Sequence, residues 1–443
     1  MRKILLPLLY LVAVCGILLA IHSGLPKYDY VLPWFGTLMI LDLYLWQTVK
    51  TAFRPALLPF RILSFVLYWL PFGIAAGCVI AGFFLPIQSW NIPFRTYITG
   101  ITVILYFSRV FPVLFLMIAD FIRILRYLAA NLTNHHRIHF KNFRRWKYFS
   151  YAGWILHFAI ILVLVWGMIY GIYNFQVHKQ ELILPELPAS FNGMTIAQIS
   201  DLHLGSWPCK ARLSEAIGMV NALEPDLVFC TGDIANFSTV DAGEYMDILS
   251  MLKSRNGIFA IMGNHDYGDY IPWKDSASKS KNLTGLRDLY RRLGWNLLLN
   301  EHRIIKRDSD SVAVIGVENW GSRRRFQHKA DLPKALEGIR NMEVLLLLSH
   351  DPSFWDKHVR TEYPEIDVTL SGHTHGFQVG FETGSIRWSP LEFLNDRWAG
   401  LYSSESGKGH VSCLYVNRGL GTIWFPVRIG IRPEITLFIL KKR

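Results

Sequence analysis

Long apolar runs dominate the first 173 residues of this 443-residue chain. Most of the runs reach or approach the ~20 residues that a helix needs to cross a bilayer. They predict five membrane-spanning helices, at about residues 4–21, 31–46, 62–85, 97–120 and 151–173. A basic start and a moderate apolar core also make the first run compatible with a cleaved signal peptide.

The pattern changes at about residue 174, where short apolar runs begin to alternate with polar, helix-compatible segments. Runs rich in Val, Ile and Leu are typical of strands that are buried on both faces. We therefore expect an α/β domain at residues 175–443, after an all-α membrane region at residues 1–174. The expected strands lie at residues 194–199, 227–230, 258–262, 312–317, 344–348, 368–370, 411–416 and 435–440.

The basic charge of the chain is concentrated in one loop. Lysine and arginine outnumber aspartate and glutamate by 46 to 34, which gives a formal net charge of +12. Seven cations and no acid lie in residues 121–150, between the last two predicted spans. Membrane proteins keep such loops in the cytoplasm, so membrane topology explains the charge and no nucleic-acid partner is expected. Contact with anionic lipid head groups is a further expectation.

The other predicted loops alternate between strongly and weakly basic along the chain. Five cations lie before the first span or between the second and third spans, whereas the other two loops carry one each. The N-terminus is therefore expected inside the cell, and the domain after the last span is expected outside the cytoplasm. Loss of the first span as a signal peptide would leave that domain on the same side.

Two charged residues, Asp42 and Arg109, lie within predicted spans two and four. Charges at such depth are costly and usually face a partner or a cavity. We expect a structural ion pair between them, and a role in binding lipid head groups is the alternative.

Five short polar clusters lie at or just after the ends of the expected strands. Ligand sites of open α/β sheets form outside the carboxyl ends of strands, so these clusters are expected to meet there. The clusters are Asp201-Leu202-His203, Gly232-Asp233, Gly263-Asn264-His265-Asp266, Ser349-His350 and Gly372-His373-Thr374-His375.

The residue types in these clusters are those of a site for transition-metal ions. Residues two apart in an extended segment project to the same side, which would let Asp201 and His203 hold one ion together. The carboxylate of Asp233 can bridge two ions, and Asn264 offers a neutral oxygen. A donor set that mixes imidazole with oxygen favours manganese, iron or zinc over calcium or magnesium. None of the clusters contains a cysteine, which argues against a structural zinc finger. Two such ions about 3.5–4 Å apart activate a shared water for direct hydrolysis of a phosphate bond.

In this order the clusters resemble those of the calcineurin-like metallophosphoesterases, over about residues 194–440. The resemblance implies a four-layer α/β/β/α sandwich that binds two divalent metal ions. It also implies that His265 binds no metal and protonates the leaving oxygen, with Asp266 orienting its ring. The implied ligands are Asp201, His203, Asp233 and His375 for the first metal, and Asp233, Asn264, His350 and His373 for the second.

Within this family the chain is most similar to a membrane-associated branch. That branch has the signatures Ser-Gly-His-Thr-His-Gly-Gly-Gln and Tyr-Val-x-Arg-Gly-Leu-Gly, which correspond here to residues 371–378 and 415–421. Phe377 departs from the first signature, where glycine is usual, and this departure affects the expected shape of the substrate pocket. The predicted spans also resemble those of transmembrane metallophosphoesterases. The branch includes enzymes for lipid-linked pyrophosphates, among them UDP-diacylglucosamine diphosphatases.

The expected function is that of a membrane-anchored hydrolase for a phosphoester or pyrophosphate, with the bilayer and a phosphorylated, lipid-linked substrate as partners. The alternatives are a non-catalytic membrane receptor or scaffold on the same fold, and a phosphodiesterase for soluble substrates. Arg323, Arg324 and Arg325 form either a solvated surface or a docking patch for phosphate or membrane. Aromatic residues late in the chain belong either to the core or to a site for an acyl chain. They are Trp388, Phe393, Trp398, Trp424 and Phe425.

Overall fold

The computed structural model describes residues 31–133, 139–321, 328–384, 386–405 and 410–443. Its contacts divide the chain into two compact units. The first unit, which we call the helical unit, comprises Met1–Pro86 and Ile101–Val165, and the second comprises Ile87–Gly100 and Trp166–Arg443. We call the second the catalytic unit, because it contains all five polar clusters that the sequence predicts to form a catalytic site. The domain boundary expected after residue 174 stays a prediction.

Three helices in the described part of the chain are long and apolar enough to cross a membrane, over Leu58–Gly82, Ile92–Leu132 and Lys147–Tyr173. The expected span at residues 4–21 lies outside the described residues, and the span at residues 31–46 forms a helix that is not among these three. The expected number of five spans is therefore not confirmed. The helices are α1 (Val31–Ala52), α2 (Leu58–Phe84), α3 (Ile92–Thr133) and α4 (Lys147–Ile169).

A buried ion pair joins α1 and α3 in the helical unit. The Arg109 guanidinium pairs with the Asp42 carboxylate and also donates to the backbone carbonyl of Tyr68. The Tyr106 hydroxyl donates to the same carboxylate over 3.2 Å. Asp42 is fully buried and Arg109 nearly so. The pair expected from the sequence is confirmed.

Two six-stranded sheets form the framework of the catalytic unit. The first sheet has the order β1-β14-β2-β3-β4-β5 and the second the order β12-β13-β9-β8-β7-β6. Most neighbouring strands are parallel, but β14 is antiparallel to β2, β6 to β7 and β12 to β13. The strands are β1 (Gln176–Leu184), β2 (Thr195–Ile199), β3 (Leu227–Cys230), β4 (Ile258–Ala260), β5 (Asn296–Leu297), β6 (Glu301–Arg307), β7 (Asp310–Gly316), β8 (Leu345–Leu348), β9 (Val368–Ser371), β12 (Gly400–Glu405), β13 (Val411–Val416) and β14 (Glu434–Lys442), with a separate hairpin of β10 (Phe381–Thr383) and β11 (Ile386–Trp388).

Apolar side chains fill three interfaces in the catalytic unit. Phe229 and Phe438 belong to a core between the two sheets. Leu213 and Leu289 cover the other face of the first sheet, and Trp355 covers that of the second. Helical segments on these two outer faces complete the predicted four-layer α/β/β/α fold. They are α5 (Lys210–Asn221), α6 (Thr239–Gly243), α7 (Met246–Leu249), α8 (Ser276–Leu293), α9 (Leu332–Ala335) and α10 (Arg360–Glu362).

The eight strands expected from the sequence are the eight interior strands of the two sheets, and their observed ends differ by at most two residues. The sequence pattern did not predict the four edge strands, β1, β5, β6 and β12. An edge strand leaves many side chains in water, so its sequence mixes charged and apolar residues. In β6, for example, the sequence is Glu-His-Arg-Ile-Ile-Lys-Arg.

We predict that Arg109→Leu lowers the free energy of unfolding by about 3–5 kcal/mol, because Asp42 is then a buried carboxylate without its cation. Thermal unfolding of the purified protein in detergent measures the change. The double variant with Asp42→Leu should recover part of the loss. Arg54→Leu removes an exposed arginine and is the control. Equal stability of the single variant and the control would contradict a structural role for the pair.

Candidate metal centre

The polar clusters meet where strands of both sheets end. Asp201 and His203 follow β2, and Asp233 follows β3. His350 follows β8, in the second sheet, and His373 follows β9. Because the parallel strands point the same way, their carboxyl ends bring these loops together.

The first group of donor atoms comes from Asp201, His203 and His375, whose ligand atoms all lie within 4.8 Å of one another. The Nε2 atoms of the two histidines are 3.0 Å apart. They lie 3.8 Å and 3.3 Å from the same Asp201 carboxylate oxygen. The two rings and the carboxylate therefore face one common point.

The second group comes from Asp233, His350 and His373. The Asp233 Oδ2 atom is 3.2 Å from Nε2 of His350, which in turn is 3.3 Å from Nδ1 of His373. The same Oδ2 atom lies 3.6 Å from Nε2 of His203, in the first group. Asp233 thus lies between the two groups, where a bridging ligand would be needed.

Asn264 supplies an oxygen to this site. Its Oδ1 atom is buried and has no hydrogen-bond partner among the described residues, while its Nδ2 donates to the Tyr270 hydroxyl over 2.5 Å. Burial without a partner is costly for a polar oxygen unless something binds it. Carboxylates, imidazoles and one amide oxygen form a donor set that suits manganese, iron or zinc. The residues present therefore fit a pair of divalent ions.

The ligand-bearing loops have a strained backbone rather than the extended one expected from the spacing of Asp201 and His203. Both residues have positive φ, at 52° and 44°, and so does Asp233 at 53°. Residues with a Cβ rarely adopt this region, and such strain persists only where the surroundings impose it. Here backbone amides of residues 201 and 203 donate to carbonyls of residues 232 and 233, each over 3.0 Å. The same distortion recurs at His373 and His375, with φ of 73° and 50°.

The surroundings of Asp201, Asp233 and His203 favour their deprotonated forms, which are the forms that bind a metal. Burial raises the pKa values of Asp201 and Asp233, but neighbouring imidazoles outweigh burial and hold both below their usual range. Burial lowers the pKa of His203, which keeps that ring neutral. For His350 burial acts in the same direction, but the Asp233 charge dominates and raises its pKa to about 10. A cation beside these carboxylates would reverse that effect, since it competes with the proton.

His265 lies beside both groups with one nitrogen available. Its Nδ1 contacts the Asn236 carbonyl oxygen over 2.8 Å, so this nitrogen carries the proton and donates it. Its Nε2 is buried with no hydrogen-bond partner among the described residues. The ring stacks on Tyr270 at 3.9 Å between centroids and meets His203 edge-on at 4.7 Å. Nε2 is therefore the atom that can take up or release a proton here.

The structure gives the His265 ring a different support from the one implied by family resemblance. Asp266 was expected to orient this ring, but its carboxylate accepts from the backbone amides of Ala235 and Gly263 over 3.0 Å and 2.9 Å. Its role in this structure is to hold two ligand loops together. Sequence reasoning missed Tyr270 and the Asn236 carbonyl, because ring stacking and backbone acceptors leave no motif of their own.

Comparisons with known proteins agree with this geometry. Residues 194–377 match the family described as calcineurin-like phosphoesterase, and residues 29–172 match the family described as probable calcineurin-like phosphoesterase, transmembrane domain. An uncharacterized metallophosphoesterase of Bacillus subtilis, YkuE, is 32% identical over 58% of this chain and 82% of its own length. The chain belongs to the calcineurin-like phosphoesterase family.

Two further relatives have membrane-related or lipid-related names. A transmembrane protein with metallophosphoesterase domain from Danio rerio is 30% identical over 66% of this chain. The chain spans 64% of that relative's length, slightly less than two thirds. UDP-2,3-diacylglucosamine pyrophosphatase LpxG of Chlamydia trachomatis is 27% identical over 63% of this chain and 93% of its own length. The match to the transmembrane-domain family and the three long apolar helices of the described residues together indicate a membrane protein.

The departure from the family signature at Phe377 has a structural consequence. The residue has a φ of 63°, a conformation that glycine adopts most easily, which explains why glycine is usual here. Its ring is 39% exposed and lines a cleft of about 250 Å³ that also borders Asp233, Asn264 and His373. Phe377 therefore adds an apolar wall to the mouth of the metal cleft.

The late signature, residues 415–421, forms a loop that packs against the first ligand group. Arg418 forms ion pairs with Glu434 and Glu382, and both its side chain and that of Glu434 are buried. Arg428 donates to the carbonyls of residues 418, 419 and 421 and lies 3.4 Å from Nδ1 of His375. This buried network fixes the loop that packs against Asp201.

The aromatic residues singled out in the sequence differ in their surroundings. Trp398 is buried in a small core, whereas Phe393 and Trp424 are 80% and 76% exposed. Trp424 and Phe425 also line the metal cleft. The three consecutive arginines at 323–325 lie outside the described residues.

We predict that Asp233→Asn abolishes metal-dependent hydrolysis while the protein stays folded, because the charge shared by both ligand groups is lost. The assay uses purified protein with manganese and an aryl phosphate, and circular dichroism monitors the fold. Asp247→Asn, at an exposed carboxylate on α7, is the matched control. Unchanged turnover in Asp233→Asn would contradict a dinuclear centre.

We predict that His265→Ala retains the metals but loses about 10²- to 10⁴-fold in rate, the range for a missing general acid. The loss should shrink for substrates with good leaving groups, because these need little protonation. His358→Ala, outside the cleft, serves as the control. Metal analysis that finds a depleted site in His265→Ala would make this histidine a ligand instead.

Proposed function

We propose that this protein is a membrane-anchored phosphohydrolase with two divalent metal ions, manganese, iron or zinc, and that it cleaves a phosphoester or pyrophosphate bond of a lipid or lipid-linked substrate. The observation that carries the proposal is the position of the Asp233 carboxylate between two groups of metal-binding side chains. One carboxylate shared by two groups is the arrangement that a dinuclear centre requires.

Each ligand has an assigned place in this proposal. When bound, the two metals supply an activated water and polarise the phosphoryl oxygen. Asp201, His203, Asp233 and His375 would hold the first metal, and Asp233, Asn264, His350 and His373 would hold the second. Water activated in this way would attack phosphorus directly, and no side chain of the protein would form a covalent bond to phosphorus.

In this proposal His265 is the general acid that donates a proton to the leaving oxygen. Donation from Nδ1 to the Asn236 carbonyl fixes the ring, so Nε2 faces the reaction as the proton carrier. Tyr270 stacks on the ring and also accepts from the Asn264 amide. These contacts keep the general acid and one metal ligand in a constant relative position, which direct hydrolysis needs.

A lipid-linked substrate is favoured by the surroundings of the metal cleft. Phe377, Trp424 and Phe425 line it, and a membrane anchor keeps it near bilayer molecules. The relative LpxG is named for a diacylated sugar nucleotide, which supports the same class of substrate. A non-catalytic receptor is disfavoured because each expected ligand and His265 are present.

The direct test compares metal-dependent hydrolysis of an aryl phosphate, a soluble phosphodiester and a long-chain phosphate in mixed micelles. Purified full-length protein is stripped with a chelator and reloaded with manganese, iron or zinc. The proposal expects activity that returns with metal and a higher kcat/KM for the long-chain substrate. No metal-dependent hydrolysis of any of them would refute the catalytic function, and a preference for the phosphodiester would support the soluble alternative.

We also predict that the catalytic unit lies outside the cytoplasm. The basic residues before α4 would have to cross the membrane if it lay inside, which the charge bias of membrane insertion opposes. Protease added to sealed vesicles of right-side-out orientation should therefore digest residues 194–377. The loop at residues 121–150 should be cut only in inverted vesicles. The reverse pattern would place the catalytic unit in the cytoplasm.

A further inference from the structure

One segment of the catalytic unit, residues 423–429, packs tightly on the ends of two apolar helices. A Cβ atom at Gly100 of α3 would lie only 2.8 Å from the Pro426 side chain. A Cβ at Gly167 of α4 would lie 2.8 Å from Ile429, and one at Gly171 would collide with the Arg428 carbonyl. The glycines permit this close packing, so the segment is fixed against the helix ends.

The same segment borders both the metal cleft and a second cleft in the catalytic unit. The second cleft measures about 240 Å³ and is lined by Ile87, Thr96 and Thr99 on one side and by Phe425 and Pro426 on the other. His265, Tyr270 and Trp424 border both clefts. The two clefts therefore adjoin at the general acid.

The second cleft offers apolar walls and no unpaired charge among its described residues. Arg95 is the charged side chain in its lining, and its guanidinium is held by the Asp241 carboxylate over 2.8 Å and by the Gly205 carbonyl over 2.7 Å. The Thr99 hydroxyl donates to the Arg95 carbonyl over 2.7 Å. Away from His265, which lies at the border with the metal cleft, the charge of Arg95 is already paired and does not attract a phosphate, so this part of the cleft suits a hydrocarbon.

We propose that this second cleft binds an alkyl chain of the substrate while the phosphate lies at the metal centre. The proposal rests on the function proposed above and assigns a site to the apolar part of its substrate. Helix α3 continues from Thr96 and Thr99 into a stretch long enough to cross a membrane. Exposed Trp424 suits a position at the boundary between water and lipid.

The experiment measures kcat/KM for monoalkyl phosphates of increasing chain length in mixed micelles. Each methylene that enters an apolar cleft adds roughly fourfold to kcat/KM, so the value should rise with length and then level off when the cleft is full. Thr99→Phe fills the cleft from the α3 side. In this variant the plateau should come at a shorter chain, and the ratio of kcat/KM for long to short chains should fall at least ~10-fold.

Thr361→Phe is the matched control, since Thr361 is exposed and its hydroxyl also donates to a backbone carbonyl three residues earlier, that of His358. Its ratio for long to short chains should equal that of the unmodified protein. Hydrolysis that is independent of chain length in the unmodified protein would overturn the alkyl site but leave the phosphohydrolase function intact. Absence of any metal-dependent hydrolysis would refute the function itself.

A labelling experiment covers the case in which Thr99→Phe does not fold. An alkyl phosphate with a diazirine at the end of its chain is photolysed with the unmodified protein in micelles, and labelled peptides are identified by mass spectrometry. Labels on residues 87–100 or 423–426 that a long-chain phosphate displaces support the site. Labels that avoid both segments overturn it.

Discussion

The burial of two carboxylates among imidazoles is the constraint on which the rest of the catalytic unit depends. Asp201 and Asp233 are almost fully removed from water, and their side-chain oxygens face His203, His350 and His375 at 3.2–4.0 Å. Charge at such depth costs several kcal/mol per ion unless a cation balances it. Two divalent metal ions would supply that balance, so the burial of these carboxylates and the proposed chemistry of the site have the same physical basis.

Contacts in several parts of the fold stabilise the strained backbone of the ligand loops. Five ligand residues adopt positive φ, and hydrogen bonds between neighbouring loops maintain that strain. Asp266 ties two of the loops through their amides, while Arg418 and Arg428 fix the loop beneath Asp201. Changes at these supporting residues would disturb the site although none of them offers a ligand atom.

The sequence predicts the interior of this protein better than its edges. The eight interior strands were visible because both of their faces are buried, whereas an edge strand such as β6 mixes charged and apolar residues without a regular period. The ligand clusters were visible because they combine rare residue types in a fixed order. Contacts that depend on folding were not visible. Tyr270 stacks on His265, and the Asn236 carbonyl takes the place expected for Asp266. The extended spacing expected for Asp201 and His203 was wrong in detail, because those residues adopt left-handed conformations.

The most direct test of the dinuclear centre is anomalous diffraction from crystals of the full-length protein loaded with manganese. The account predicts two anomalous peaks, about 3.5–4 Å apart, with an Asp233 oxygen within coordination distance of both. Asn264 Oδ1 should contact one of the two ions. A single peak, or two peaks that do not share Asp233, would contradict it.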